Sequence, residues 1–235
     1  MDQYRYVGEE LGVFAHAVHW KDYVRSLIGD ALTGDVLEVG AGIGTATLAW
    51  RSPRQRTWTC LEPDRQLATT VADRTGQLSL PVRVLHGTTR DLGAGERFTT
   101  VLYLDVLEHI EDDAEELRRA AGVLAPGGRL IVLSPAHQWL YTAFDRRIGH
   151  CRRYSRESLA AVAPAGLVRE RLLYLDAAGA LLSLGNRVVL RSDAPTLRQV
   201  ETWDRWFVPI SRYIDGWLGY RVGKSVLGIW RRHDA

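Results

Sequence analysis

The segment Val36-Leu37-Glu38-Val39-Gly40-Ala41-Gly42-Ile43-Gly44 constrains this chain more than any other. A short apolar run, the pattern of a buried strand, ends in three glycines spaced two apart, and a helical pattern begins at Thr45. Glycine permits positive φ and lets a ligand approach the backbone without meeting a Cβ. At the passage from a strand to a helix N-terminus such a turn makes a ligand crevice, for a dinucleotide or an adenosyl cofactor. For the glycines alone, a tight turn with no ligand is the alternative. Two features narrow the choice. The dinucleotide fingerprint needs another glycine at position 45, which is Thr45. Glu38, two residues before the first glycine, would repel a pyrophosphate but can accept bonds from the ammonium of a methionine moiety. Glu62, 22 residues after Gly40, ends the next predicted strand, where a carboxylate can bind two ribose hydroxyls.

The rest of the chain alternates apolar runs with helical patterns. Strands are predicted over 35–39, 57–61, 82–85, 100–104, 129–133 and 168–175, with a final short one over 224–230. Helices are predicted over 16–31, 45–51, from 65 to about 74, 112–124 and 155–162. Two more span 177–191 and 196–218, the second bent at Pro209, beyond which Ile210, Tyr213, Ile214, Trp217 and Leu218 share one face. Asp112 with Glu115 has the spacing of a capping box. Strands alternating with helices imply a parallel sheet covered on both faces.

Four segments together resemble the class I S-adenosylmethionine-dependent methyltransferases. Glu38 to Gly44 is similar to their first motif and Glu62-Pro63-Asp64 to their second. Tyr103-Leu104-Asp105-Val106-Leu107-Glu108-His109-Ile110 resembles the segment after strand four, and Leu124-Ala125-Pro126-Gly127-Gly128 the turn before strand five. The resemblance covers residues 35–175. It implies an α/β, Rossmann-like, doubly wound sheet of seven strands, mostly parallel with an antiparallel last strand. One domain over 1–235 is expected: an N-terminal helical cap (1–34), a cofactor-binding core (35–175), a helical insertion (176–218), and a last strand and tail (219–235).

The implied cofactor is S-adenosyl-L-methionine, contacted by Glu38, Gly40, Ala41, Gly42, Gly44, Glu62, Pro63, Asp105 and Val106. The family often has an Asp beside the adenine amine after strand three. Here Gly87-Thr88-Thr89 stands in its place, so adenine would be read by backbone groups or by the hydroxyls of Thr88 and Thr89. A further similarity, of Asp145 and Gly149-His150-Cys151-Arg152-Arg153-Tyr154, is to a subgroup found in bacterial specialised metabolism and cell-envelope settings.

Methyl transfer needs two positioned reactants, and a general base only if the acceptor is protonated. Candidates for that base are Asp105, His109, His137 and His150. Asp105 alternatively bonds the cofactor or a loop, His109 caps a helix, and His137 and His150 sit on the surface or serve the loop after strand five. Trp20, Tyr141, Asp145, Arg153 and Tyr154 are the candidate acceptor contacts. The sequence shows no metal-ligand spacing of His, Cys and Asp.

Composition excludes other classes. A net charge of +2 gives no general case for nucleic acid, and there is no Asn/Asp-Pro-Pro-Tyr/Phe after strand four for base-amine chemistry. A +7 excess over residues 145–235 is spread among apolar helices rather than gathered in a stripe. Two cysteines, Cys60 and Cys151, make no disulfide framework, so a reducing, cytoplasmic compartment is expected. No apolar run reaches the ~18 residues of a membrane span. A small-molecule or lipid-like acceptor is therefore expected, methylated at oxygen before nitrogen or carbon. The N-terminal helix and residues 176–218, with Trp203, Trp206, Phe207, Tyr213 and Trp217, are expected to cover the acceptor pocket or to dock peripherally on an anionic membrane, with packing against the sheet as the alternative. A cofactor-binding protein without turnover is also left open. Oligomeric state is not encoded in these patterns.

Overall fold

The computed structural model describes residues 5–8, 10–189 and 195–234. The strands are β1 (Gly34–Val39), β2 (Gln55–Glu62), β3 (Arg83–His86), β4 (Phe98–Leu104), β5 (Leu124–Pro135), β6 (Leu167–Leu175) and β7 (Ser225–Arg232). They form one sheet in the order β3-β2-β1-β4-β5-β7-β6. β1 to β5 pair in parallel, and β7 runs antiparallel to both β5 and β6. The chain steps outward from β1 through β2 to β3, then returns to lay β4 on the other side of β1. This switch point opens a crevice above the carboxyl ends of β1 and β4, where ligands bind in open α/β sheets.

Among the described residues ten α-helices surround the sheet: α1 (Glu10–Phe14), α2 (Val18–Ile28), α3 (Thr45–Trp50), α4 (Arg65–Thr75), α5 (Asp113–Gly122), α6 (Ala143–Arg147), α7 (Arg156–Val162), α8 (Ala177–Val189), α9 (Leu197–Thr202) and α10 (Val208–Trp217). Two apolar cores result, as expected for a sheet buried on both faces. One gathers Tyr23, Ile28, Trp50, Trp58 and Trp203; the other gathers Phe98, Tyr103, Leu117, Tyr154 and Trp230.

Each predicted strand is present, and so is each predicted helix other than 196–218, with shifted ends. β5 starts at Leu124, five residues before the prediction, and the glycine turn 126–128 survives as a register shift where Phe98 pairs with Leu124 but Thr100 with Arg129. α1 was not anticipated. The predicted helix 177–191 is seen to Val189, and residues 190 and 191 lie outside the described ones.

The largest departure is in 196–218, which breaks into α9, a π-helical turn over Trp203–Phe207, and α10. Pro209 cannot donate and its ring crowds the preceding turn, so the irregularity falls just before it. The apolar face beyond Pro209 is turned outward rather than packed on the sheet: Ile210 is 50%, Tyr213 82% and Trp217 85% exposed. α10 instead buries Val208, Ser211 and Asp215. Asp215 accepts from the Tyr23 hydroxyl (2.8 Å) and from the Asp176 and Ala177 N–H groups (2.7 and 3.0 Å). Ser211 accepts from the Ala178 N–H at 3.1 Å and donates to Asp176. The start of α8 is thus capped by α10, which satisfies three otherwise orphaned buried N–H groups.

Candidate active site

A cavity of 1220 Å³ lies over the switch point. Its floor is the glycine turn. Gly40, Gly42 and Gly44 have φ of 68°, 58° and 74°. A Cβ on Gly40 would stand 2.6 Å from Val106, so the close approach of β1 and β4 also requires glycine there.

Glu38 lines this floor. Its Oε2 accepts from Thr47 Oγ1 and from Trp58 Nε1 (2.9 Å), and burial pushes its pKa up to about 7. Glu62 stands opposite, accepting from the Gly42 N–H (2.8 Å) and the Asp64 N–H (2.9 Å), which ties the two motifs together. Burial raises its pKa as well. Thr88 and Thr89 also line the cavity. Their hydroxyls donate to Asp91 (3.0 Å) and Glu116 (2.8 Å), so each offers lone pairs to an incoming amine. The pieces suit an adenosyl cofactor with an ammonium tail: a cradle free of Cβ atoms, flanked by two buried carboxylates.

The other end of the cavity is polar. Asp105 follows β4 with φ 54°, a strained value for a non-glycine residue and the reason its carboxylate swings into the cavity. The side chain is open to the cavity yet encircled by protein; burial raises its pKa to about 6 against the pull of His150, Lys224 and Arg153. The turn Leu107–His109 then presents Glu108 and His109. Burial holds His109 neutral, with a pKa lowered to about 4.

His150 packs edge-on against His109, ring centres 4.6 Å apart. Its Nδ1 bonds Asp145 Oδ1 at 3.0 Å. Asp145 also accepts from the Thr142 N–H (2.8 Å) and from Arg153 Nε (2.8 Å). Burial pushes the Asp145 carboxyl upward, but His150 and Arg153 outweigh it and hold the group well below the usual carboxylate range.

Most residues singled out from the sequence meet in this cavity: Trp20, Glu38, Gly40, Ala41, Gly42, Glu62, Pro63, Thr88, Thr89, Asp105, Val106, His109, Asp145, His150 and Arg153. Four do not line it. Gly44 ends the glycine turn and caps α3. His137, at φ 66°, stacks on Trp139 and Tyr174, its ring centre 4.5 Å from that of Tyr174. The Tyr141 hydroxyl donates to the His150 carbonyl (2.6 Å), and the buried Tyr154 hydroxyl to Asp113 Oδ2 (2.6 Å). These two tyrosines fasten the loop after β5 rather than face an acceptor. Asp145 lines the cavity, but its oxygens are engaged by Thr142, His150 and Arg153.

Sequence reasoning passed over Glu108, Lys224, Phe14 and Leu182 as site residues, whereas Trp203 and Phe207 belong to the segment expected to cover the acceptor pocket. Glu108 is fully buried, with Oε2 held by Ser134 (2.9 Å). Lys224 joins Asp176 (3.3 Å) and lies 3.8 Å from the Trp203 ring centre. Phe14, Leu182, Trp203 and Phe207 wall the cavity. Glu108 was visible as the third residue beyond Asp105; the others come from distant elements and carry no local signal.

This strand order, the switch-point cavity and the glycine turn between two carboxylates define a class I methyltransferase fold with an S-adenosylmethionine site. Residues 37–130 match the family model described as a methyltransferase domain, which together with the fold supports an S-adenosylmethionine-dependent methyltransferase. No curated protein sequence matches it. Among solved structures it is similar to the N-methyltransferase NodS from Bradyrhizobium japonicum WM9 in complex with S-adenosyl-L-homocysteine (16% identity, 91% of this chain and 85% of that one, TM-score 0.57). An S-adenosylmethionine-dependent methyltransferase from Clostridium acetobutylicum is similar at 10% identity, over 92% and 91% of the two chains, with TM-score 0.61. The cyclase SpnF is similar at 15% identity, over 91% and 81%, with TM-score 0.62. Identities this low show a shared fold.

Proposed function

We propose that this methyltransferase acts as a single domain on a small-molecule or lipid-like acceptor, at oxygen in preference to nitrogen or carbon. The observation that carries the reading is the cavity's division. One end has the glycine cradle with Glu38 and Glu62. The other has an oxygen- and nitrogen-rich group, Asp105, His109, His150 and Arg153, under a wall of Phe14, Trp20, Leu182 and Trp203. Apolar walls with a few convergent polar groups suit a compact, partly apolar molecule. The fold alone does not choose the reaction, since one neighbour of this fold is a cyclase. The similarity of residues 149–154 to a specialised-metabolism subgroup supports the same acceptor class.

When bound, S-adenosylmethionine supplies an activated methyl group. In this reading Glu62 holds the ribose hydroxyls, Glu38 the ammonium, and the Thr88 and Thr89 hydroxyls the adenine amine. Arg153 and Asp145 fix His150, and Asp105 and His109 face the acceptor. Glu62→Ala should weaken cofactor binding by roughly 1.5–3 kcal/mol if both ribose bonds are charge-assisted; unchanged affinity in calorimetry removes that assignment. The acceptor class is tested by incubating the protein with S-adenosylmethionine and a metabolite extract, then seeking a one-methylene mass gain by mass spectrometry. Cofactor binding with no methylated product in any fraction would favour a binding protein without turnover.

A second reading, an acceptor presented at a lipid surface, is favoured by one observation. Leu181, Trp206, Ile210, Tyr213 and Trp217 are all exposed on α8–α10, with Arg205 and Arg212 exposed beside them. Aromatic and cationic side chains together suit an anionic interface. Among the described residues no helix is long and apolar enough to cross a membrane. Salt-sensitive sedimentation with anionic liposomes would support this version, and indifference to them would remove it.

A further inference from the structure

The Glu108, His109 and His150 side chains each bring one ligand atom to a common point, all within 4.8 Å of one another. Glu108 Oε1 is buried and, among the described residues, has no hydrogen-bond partner. Leaving a buried carboxylate oxygen without a partner costs about 1–3 kcal/mol or more, so such an atom needs an explanation. Its nearest cationic candidate is His150 Nε2 at 3.8 Å, too long for a hydrogen bond.

That separation suits two ligands of one ion. Donor atoms about 2.1 Å from a divalent metal stand roughly 3.4 Å apart at a tetrahedral angle and roughly 4.2 Å apart when opposed. The surroundings match as well. His150 is oriented through Nδ1 by Asp145, which Arg153 and Thr142 hold in turn, the arrangement that fixes a metal-binding imidazole with Nε2 facing the ion. The two ligand-bearing loops are fastened to each other, the Cys151 N–H donating to the Glu108 carbonyl at 2.7 Å. Asp105, three residues before Glu108, opens into the same end of the cavity.

We propose that Glu108, His109 and His150 form a divalent-cation site at the acceptor end of the cavity, and that the cation takes an acceptor oxygen in an open coordination position. Two imidazoles and one carboxylate favour a zinc-, iron- or manganese-type ion over calcium or magnesium. The role of the ion rests on the oxygen-acceptor reading above. It holds the acceptor hydroxyl and favours loss of its proton to water. The oxygen then forms a bond to the methyl carbon, the sulfur–methyl bond breaks with its electron pair on sulfur, and the metal changes no oxidation state. Acceptors with two neighbouring oxygen donors, able to chelate, fit such a site best.

The test uses tag-free, metal-stripped full-length protein. Zinc chloride is titrated by calorimetry and cobalt chloride by visible absorption, with S-adenosyl-L-homocysteine affinity measured on the same samples. One equivalent of metal should bind. Glu108→Gln, which keeps the side chain's shape, and His109→Ala should each abolish saturable binding. Asp145→Asn, one bond removed from the metal, should weaken it roughly 10–100-fold. All three should retain homocysteine-cofactor affinity, which shows that the domain is folded. No saturable uptake by the wild type at millimolar metal, or uptake by Glu108→Gln and His109→Ala equal to that of the wild type, overturns the proposal. With cofactor affinity intact, that failure leaves the methyltransferase reading untouched and marks Glu108 as a buried neutral acid. Absent cofactor affinity in the wild type would instead strike the reading on which the site's role rests.

Discussion

Two helices of the cofactor half and two outside it obtain their N-caps differently. Asp64 accepts from the Gln66 and Leu67 N–H groups at the start of α4, and Asp112 from the Glu115 N–H at the start of α5. Both caps sit immediately before their helices and are legible in the sequence. α2 has no such neighbour, and the local cap of α8, Asp176, accepts from that helix only the Gly179 N–H (2.9 Å), leaving the preceding N–H groups to a distant partner. Asp204, in the π-helical turn, accepts from the His19 (3.0 Å) and Trp20 (2.8 Å) N–H groups at the start of α2. Asp215 does the same for α8, with Ser211 beside it. A local cap costs its helix nothing elsewhere. A cap delivered from a distant helix dictates which face of that helix is buried, and α10 therefore turns its polar side in and its aromatic side out.

The largest expected effect breaks the distant cap. Asp215→Ala removes three hydrogen bonds from a buried site and should cost about 3 kcal/mol, whereas Asp112→Ala at an exposed local cap should cost about 1 kcal/mol. Urea denaturation followed by circular dichroism measures both. Equal losses would show that the 176–218 segment is held by apolar packing and not by its polar network.

A smaller effect separates the two kinds of buried acid. Asp215 is satisfied within the protein and lies outside the cavity lining; Glu38 lines the cavity and is the proposed partner of the cofactor ammonium. With its folded pKa raised from 4.5 to about 7, Glu38 keeps a proton that the unfolded chain has lost over that window. Its contribution to stability is full below pH 4.5 and is lost as pH rises through 7. A bound ammonium reverses the preference, so cofactor binding should release a proton near neutrality. Affinity should then rise by up to about tenfold from pH 6 to pH 8, equivalent to roughly 1.4 kcal/mol. Calorimetry at pH 7 in two buffers of different ionisation enthalpy reads the proton directly. No release, with pH-independent affinity, would move Glu38 from ligand contact to a role in the strand alone.

The smallest effect concerns the outward face. Trp217→Ala should change stability by less than about 0.5 kcal/mol, because the ring already meets solvent. A fall of several degrees in Tm would mean that the face is covered in solution, and the mutant's sedimentation profile would then show whether a second copy covers it.

The sequence by itself determined the sheet, the glycine turn and the cofactor carboxylates. Each is a local pattern: alternation of apolar runs, φ > 0 at fixed spacing, a carboxylate at a strand end. Glu38 and Glu62 were readable because β1 and β2 pair in parallel and both end at the same edge. Only the tertiary structure decided three things. The first is that β7 inserts between β5 and β6, a choice made by pairing across some fifty residues of intervening chain. The second is the orientation of α10, where periodicity marks an apolar face but not which way it turns, and the buried Asp215 and Ser211 that meet the backbone of α8 set it outward. The third is the meeting of Glu108, His109 and His150. No ligand spacing in the chain announces it, because His150 arrives on a loop after another strand. Its ring is aimed by Asp145, and Tyr141 and the Glu108 backbone fasten the loop. Periodicity records which residues share a face. It does not record which distant group completes a helix end or a ligand set, since that depends on hydrogen-bond satisfaction across the whole fold.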